Sequence, residues 1–275
     1  MQDTREHITF ANPVLSTIGR IADRENLEVY VVGGYVRDFL LGLGDKDVDI
    51  LVIGDGVEFA KTVAFELRSA SVVTFDRFGT AMVPHEGGKI EFVTARSESY
   101  SIESRKPRVQ SGTLEQDLLR RDFTVNALAA CLNKGRFGEL HDPFNGREDL
   151  QHQLLRTPLD PVKTFDDDPL RILRAIRFAS QLDFTIDRLA LNAIREMKGR
   201  LAIVSQERIT DEFIKILKTP QPSVGLRLMY DTGVMDIVFP EVAQMGGVDQ
   251  RTDHHHKDVF LHTCIVVDNI ARTTD

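Results

Sequence analysis

The 275-residue sequence carries 34 Lys and Arg against 42 Asp and Glu, a formal charge of −8, with 42% hydrophobic residues and two cysteines. That is chain enough for a real core and for two or three domains, and no run approaches the ~20 apolar residues needed to cross a bilayer. The acidic balance argues against a protein that coats nucleic acid indiscriminately and leaves phosphate binding to local cation clusters: Arg105, Lys106 and Arg108; Arg120 and Arg121; Arg171, Arg174 and Arg177. The polar start from Met1 to His7 holds no apolar signal segment, so the expected location is cytoplasmic. Cys131 and Cys264 lie far apart without a CxxC pattern and are expected as reduced packing residues.

Taken in chain order, Asn12 to Arg24 has apolar positions at helical spacing, and Val29 to Val32 is a β-branched strand ending in Gly33 and Gly34. Tyr35 to Leu43 continues as a helix, Asp47 to Ile53 as a strand and Val57 to Arg68 as a helix. Ser71 to Thr74, Ala81 to Pro84 and Lys89 to Thr94 are further strands. From Ser97 to Gly112 the composition turns polar and basic without periodicity, which suits a mobile loop over a ligand site. Helical order returns at Glu115. After the turn from His141 to Gly146 the helical segments are Pro169 to Gln181, Arg188 to Met197, Gln206 to Leu217 and Val224 to Thr232, broken by Pro and Gly. The sequence is therefore α/β first and all-α afterwards.

The chemistry concentrates in a few short motifs. In KDVDI, Asp47 and Asp49 occupy positions i and i+2 of a strand and project from one side. Such a pair repels itself unless a divalent cation sits between, and Mg²⁺ prefers oxygen donors. The plainer alternative is that one aspartate ends the strand and the other is solvated. Upstream, Gly33 and Gly34 between strand and helix let backbone N–H groups approach phosphates, with Arg37 and Asp38 in the first helical turn; taken alone, a GG pair is a turn. Glu91, in the extended run KIEFVTAR, supplies a third carboxylate for two-metal phosphoryl transfer, or is an ordinary edge residue.

GGYVRD, KDVDI, RRDFTVNALA, DPFNG, DDPLR and SQERI stand in this order between Gly33 and Ile209. In that series the chain resembles the class II tRNA nucleotidyltransferases and the related bacterial poly(A) polymerases. The resemblance implies an α/β head of the DNA polymerase beta nucleotidyltransferase type, followed by all-α neck and body domains. The corresponding spans are a head over 1–141, a neck over 142–218 and a body over 219–275. It implies Mg²⁺ at Asp47 and Asp49, and Gly33, Gly34 and Arg37 around a triphosphate. Arg120, Arg121 and Asp122 would contact the nucleotide, Asp122 at the ribose; a charged helix start is the alternative for that motif. The implied activity is template-independent addition of C, C and A from CTP and ATP to the 3′ end of tRNA, with pyrophosphate released. A-adding enzymes and poly(A) polymerases share these motifs.

Asp168 and Arg171, three residues apart, face the same way on a helix. Cytosine and adenine both present an exocyclic amino donor beside a ring-nitrogen acceptor, so an Asp acceptor with an Arg donor matches both and mismatches uracil and guanine. A helix cap and a surface arginine are the structural alternative, and Arg174 extends the face toward base or RNA. The family has Glu where this chain has Asp167. DPFNG, Asp142 to Gly146, resembles the hinge between head and neck, with Gly146 supplying unusual backbone angles, and Glu207 and Arg208 are expected to brace the neck. The stretch HHHKDVFLHTCIVVDNIA resembles the start of an HD-type phosphohydrolase domain, with His262 its first metal ligand. The chain stops at Asp275 before any HD dipeptide, so that second metal site is expected to be incomplete. An inactive RNA-binding module and an HD phosphohydrolase are the readings from other classes.

Overall fold

The computed structural model describes residues 7–44, 47–85, 88–101, 104–250 and 257–273. They divide into two compact units, Met1–Leu150 and Gln151–Asp275.

In the first unit, helix α1 (Pro13–Arg24) opens on Asn12, whose side chain accepts from the Val14 N–H, with Pro13 in the first turn where its missing donor costs nothing. Strand β1 (Glu28–Val32) leads through Gly33 into α2 (Gly34–Leu40), and β2 (Asp47–Ile53) follows. Helix α3 (Gly56–Glu66) is capped by Asp55, which accepts from the Val57 and Glu58 amides. Strands β3 (Val73–Phe75), β4 (Thr80–His85) and β5 (Gly88–Thr94) come next, then β6 (Arg96–Ser101), β7 (Ser104–Ser111), α4 (Leu114–Leu119), β8 (Ala129–Cys131), β9 (Leu140–His141) and α5 (Gly146–Gln151).

A seven-stranded sheet in the order β3-β4-β5-β2-β1-β8-β9 organises the unit. All its pairings are antiparallel except β2 with β5, which α3 makes possible as the crossover between parallel strands. On one face Val31, Ile50, Val52, Val83, Ile90 and Phe92 are buried, and Phe59 of α3 meets Phe92 edge to face at 5.8 Å. The opposite face is covered only in part: Tyr30, Val32, Leu51, Ala129 and Cys131 pack against Leu118 of α4, with Leu114 and Phe144 at the margin. Asp47, Asp49 and Glu91 lie on that same face.

Within the stretch from Ser97 to Gly112, expected as a loop, residues 97–101 and 104–111 lie instead in the β6–β7 pair, which among the described residues is a separate two-stranded sheet. Its polar and basic sequence carries no apolar alternation to read as a strand. The Arg105, Lys106 and Arg108 cluster falls on β7, and its side chains lie outside the described part of the structure.

The second unit is helical: α6 (Pro161–Asp167), α7 (Leu170–Leu182), α8 (Arg188–Met197), α9 (Gln206–Leu217), α10 (Pro222–Thr232) and a final helix Val259–Thr273, with a short parallel pair at 154–155 and 185–186. The α/β-then-α order read from the sequence is the order found. Both cysteines are free and buried. Among the described residues no helix is long and apolar enough to cross a membrane.

Candidate active site

On β2 the side chains alternate: Val48, Ile50 and Val52 enter the core, so Asp47 and Asp49 share the opposite face. Parallel pairing with β5 sets Asp49 beside Glu91 and Asp47 beside Lys89. The Lys89 ammonium lies 3.9 Å from the Glu91 carboxylate. Burial pushes the Asp49 carboxyl up to about 6, the Glu91 and Asp47 charges push the same way, and Arg121 and Lys89 oppose them.

The donors are all oxygen, on one face, and repel each other in a partly dry setting, which fits a hard divalent cation. Among the described residues no three His, Cys, Asp or Glu side chains stand close enough to cage an ion. Mg²⁺ does not ask for such a cage; it is commonly held by one or two carboxylates together with substrate phosphates.

On the other side of β2 lies the glycine turn. Gly33 has φ 69°, a left-handed conformation that Gly adopts at no steric cost. A Cβ there would lie 2.6 Å from Arg121 Nη1, so the missing side chain also admits the guanidinium. Gly34 has ordinary angles. Arg37, expected at the phosphates, is 4% exposed. Its Nε and Nη2 donate to Asp38 at 2.8 and 3.0 Å, and Nη1 donates to Asn126 Oδ1 at 2.6 Å. Asn126 in turn donates from Nδ2 to Asp122 Oδ1 at 3.0 Å, an oxygen that also accepts from the Phe123 amide at 2.9 Å. Asp38 thus orients Arg37, and Arg37 braces the wall of the site through Asn126.

The RRD motif ends a helix instead of starting one: Arg120 is the C-cap of α4, and Arg121 and Asp122 follow it. One residue unmarked in the sequence organises the pair. Asp117 is fully buried, accepting from Arg120 Nη2 at 2.5 Å and Nε at 3.0 Å, and from Arg121 Nη2 at 3.2 Å. Arg121 Nη1 also donates to the Asn126 carbonyl at 3.3 Å, while its Nε is buried with no hydrogen-bond partner among the described residues. Positions i and i+3 or i+4 on a helix are neighbours, so this spacing was the signal for Asp117. Asn126 stands inside RRDFTVNALA without any spacing signal of its own.

At the DPFNG turn, Asp142 accepts from the Gly146 and Arg147 amides at 2.7 and 3.0 Å. The unusual angle expected of Gly146 belongs to Asn145, with φ 57°. Gly146 is needed for space, because a Cβ would lie 2.2 Å from the Thr124 carbonyl oxygen.

In the second unit Asp168 stands between α6 and α7, and its Oδ1 accepts from the Leu170 amide at 3.3 Å. It is thus a cap, yet its other partner is Arg208 of α9, whose Nη2 reaches Oδ2 at 3.3 Å. Arg171 follows on the first turn of α7, with its backbone N–H on the Asp168 carbonyl at 3.0 Å. Arg174 lies 5.4 Å from the Phe178 ring, and Arg177 lies 4.1 Å from it and donates to the buried Glu212 at 2.8 Å. Although burial raises the Glu212 carboxyl, Lys215 and Arg177 together hold it below its ordinary range. His262 is exposed on the final helix, and His254, His255 and His256 lie outside the described residues.

The family described as Poly A polymerase head domain matches residues 29–156, and that described as Probable RNA and SrmB- binding site of polymerase A matches 183–245. An A-adding tRNA nucleotidyltransferase of Geobacter sulfurreducens is 37% identical over 83% of this chain and 26% of its own length. A CCA-adding enzyme of Lactobacillus helveticus is 38% identical over 83% of this chain and 54% of its own. The chain thus spans about half or less of the length of these curated relatives. A solved tRNA nucleotidyltransferase complexed with a primer tRNA and an incoming ATP analog superposes with a TM-score of 0.72 at 35% identity, over 83% of this chain and 66% of that one. Head and RNA-binding regions, motif order and superposition agree, and the chain belongs to the family of the class II tRNA nucleotidyltransferases and bacterial poly(A) polymerases.

Proposed function

We propose that this chain carries the nucleotidyl-transfer machinery of an enzyme that adds C, C and A to the 3′ end of tRNA from CTP and ATP. The observation that carries the reading is the row formed by Asp47, Asp49 and Glu91 beside the Gly33 turn, where Asp117 holds two arginines in place.

The terminal hydroxyl of the tRNA attacks the α-phosphorus of the bound nucleotide; a P–O bond forms, the α–β bridging bond breaks and pyrophosphate leaves. Asp47 and Asp49 would hold Mg²⁺, with Glu91 as the third carboxylate. The ions, when bound, lower the pKa of the attacking hydroxyl and neutralise charge on the pyrophosphate. Arg120 and Arg121 hold phosphate oxygens in an orientation fixed by Asp117, which removes reorganisation at the moment of reaction. Gly33 keeps the turn open to the phosphates, and Arg37 stiffens it from beneath. Asp122 faces the ribose. Asp168 accepts from the exocyclic amino group of C or A while Arg171 donates to the ring nitrogen, and Arg208 fixes the Asp168 carboxylate. Protein donors and acceptors then replace a template.

The test offers labelled CTP and ATP separately to tRNAs ending at the discriminator base, at one added C and at CC. The proposal expects C on the first two and A on the third, with all incorporation lost in Asp49→Ala. The Geobacter sulfurreducens relative favours a second reading, an A-adding enzyme, whose result is A on the CC end and no C on any. RNA binding without incorporation on any end would leave the RNA-binding module.

A further inference from the structure

We propose that the groove beyond Glu91, at the β3–β4 edge of the sheet, seats the terminal nucleotide of the acceptor RNA by stacking, without reading which base it is. This rests on the nucleotidyl-transfer reading above and assigns a place to its second substrate.

The groove measures about 440 Å³ and is lined by Phe75, Phe78, Thr80, Met82, Lys89, Glu91 and Arg96; that volume lies within the ~300–1,000 Å³ of small-ligand pockets. Sheet register makes it continuous with the carboxylates. Met82 pairs with Glu91, which pairs with Asp49, forming one row across β4, β5 and β2. Thr80 and Met82 share the face of Glu91, and Phe75 of β3 pairs with Thr80, carrying that face to the edge.

Sheet order then decides which substrate comes from which side. The glycine turn and Arg121 lie on the β1 side of β2, and the groove lies on the β5 side. In-line displacement puts the attacking oxygen opposite the leaving pyrophosphate. With the triphosphate at the turn, the hydroxyl has to arrive over β5, and the body of the nucleotide bearing it extends over β4 and β3.

The side chains suit that occupant. Phe75 and Phe78 are 48% and 56% exposed, which is costly for rings that serve only the fold. Lys89 and Arg96 add positive charge beside them, and Arg96 ties to the groove wall by donating to the Phe78 carbonyl at 3.5 Å. Exposed aromatics interleaved with cations are the make-up of single-strand sites, where rings take base faces and cations follow the phosphates. Every base has such a face, so one groove accepts ends that differ as the chain grows.

The experiment compares wild type, Phe75→Ala, Phe78→Ala and Phe78→Leu, the last keeping apolar bulk without a planar ring. Steady-state incorporation is measured with tRNA varied and then with ATP varied. In parallel, anisotropy follows a 5′-labelled RNA hairpin with a single-stranded CC end, and the same hairpin with an abasic terminal residue. We expect the KM for tRNA and the hairpin Kd to rise about tenfold in each variant, Leu included, with the ATP response within twofold of wild type. The abasic hairpin should bind wild type about tenfold more weakly and lose nothing further in the variants, and terminal C and A should bind wild type alike. Wild-type RNA affinity in correctly folded variants, equal binding of abasic and intact ends, or an effect on ATP alone overturns the groove assignment and leaves nucleotidyl transfer standing. A wild-type protein that neither transfers nucleotides nor binds RNA overturns both.

Discussion

Replacing Asp49 by Asn should stabilise the protein in the absence of divalent ions. The Asp49 carboxyl titrates at about 6 instead of 3.8, because it is partly buried and faces Glu91 and Asp47. A shift of about two units corresponds to roughly 3 kcal/mol at 1.36 kcal/mol per unit. The group keeps some contact with solvent, so about 1–2 kcal/mol is the working figure. The sign follows from proton linkage: the folded chain binds this proton more tightly than the unfolded chain, so stability falls as pH rises from about 4 through about 6 and the full penalty stands above 7. Asparagine keeps the shape and removes the charge. Urea unfolding in EDTA at pH 7.5 should show the variant more stable by about 1–2 kcal/mol, and the advantage should shrink toward zero near pH 4. Adding Mg²⁺ should stabilise wild type and leave the variant nearly unchanged. Equal or lower stability of the variant at pH 7.5, or an advantage independent of pH, would refute the reasoning.

Asp117→Asn should leave the Arg120 and Arg121 charges without their buried partner. Unfolding should show a loss of about 3 kcal/mol, and ATP titration a Kd raised tenfold or more, non-additive with Arg121→Lys. Gly33→Ala should weaken ATP binding strongly and cost about 1–3 kcal/mol of stability, because φ 69° and a 2.6 Å approach to Arg121 both oppose a Cβ. Gly34→Ala, whose added Cβ meets only Arg37 Nη2 at 3.6 Å, should be close to wild type in the same two assays. Asp168→Ala should let UTP compete with CTP, narrowing discrimination by about 1–3 kcal/mol in kcat/KM ratios, and Arg208→Ala should show part of the same loss without touching the base.

The acids and the turn were legible because strand periodicity is local: once Asp47 to Ile53 is a strand, Asp47 and Asp49 share a face whatever the rest of the fold does. Glu91 was read as a third carboxylate from a neighbouring strand or an ordinary edge residue, but its direct pairing with Asp49 was not legible, since parallel register is set by the α3 crossover and the packing of both strands. The β6–β7 hairpin escaped for the opposite reason: its sequence is polar and basic with no alternation, so no pattern marked it as a strand. Asp117 could have been found from its helical spacing to Arg120 and Arg121. Asn126 could not, because its partners Arg37 and Asp122 come from α2 and from the end of the α4 turn and meet only in the folded unit. Gly146 was marked as special for the wrong property, since backbone angle is a matter of the turn, whereas a carbonyl 2.2 Å from an absent Cβ is a matter of tertiary approach.

The formal charge of −8 and the proposed handling of polyanions are compatible for a reason visible residue by residue. Arg37 is held by Asp38, Arg120 and Arg121 by Asp117, Arg177 by Glu212 and Arg208 by Asp168. Each acid lowers the net charge and fixes a guanidinium that would otherwise sample many rotamers, losing ~2 kcal/mol of side-chain entropy on binding. The cations are few, and their geometry is set before a phosphate arrives. A surface of unheld lysines would attract any nucleic acid and orient none, whereas arginines held by neighbouring acids have little charge to spare for distant phosphates and a fixed fork for the one that docks. Pairing of this kind lets an acidic chain hold a phosphate without a broad basic surface, because each arginine is placed by an acid beside it, and an exchange of Asp117 or Asp38 for a neutral residue would bring the net charge closer to balance while making nucleotide binding worse.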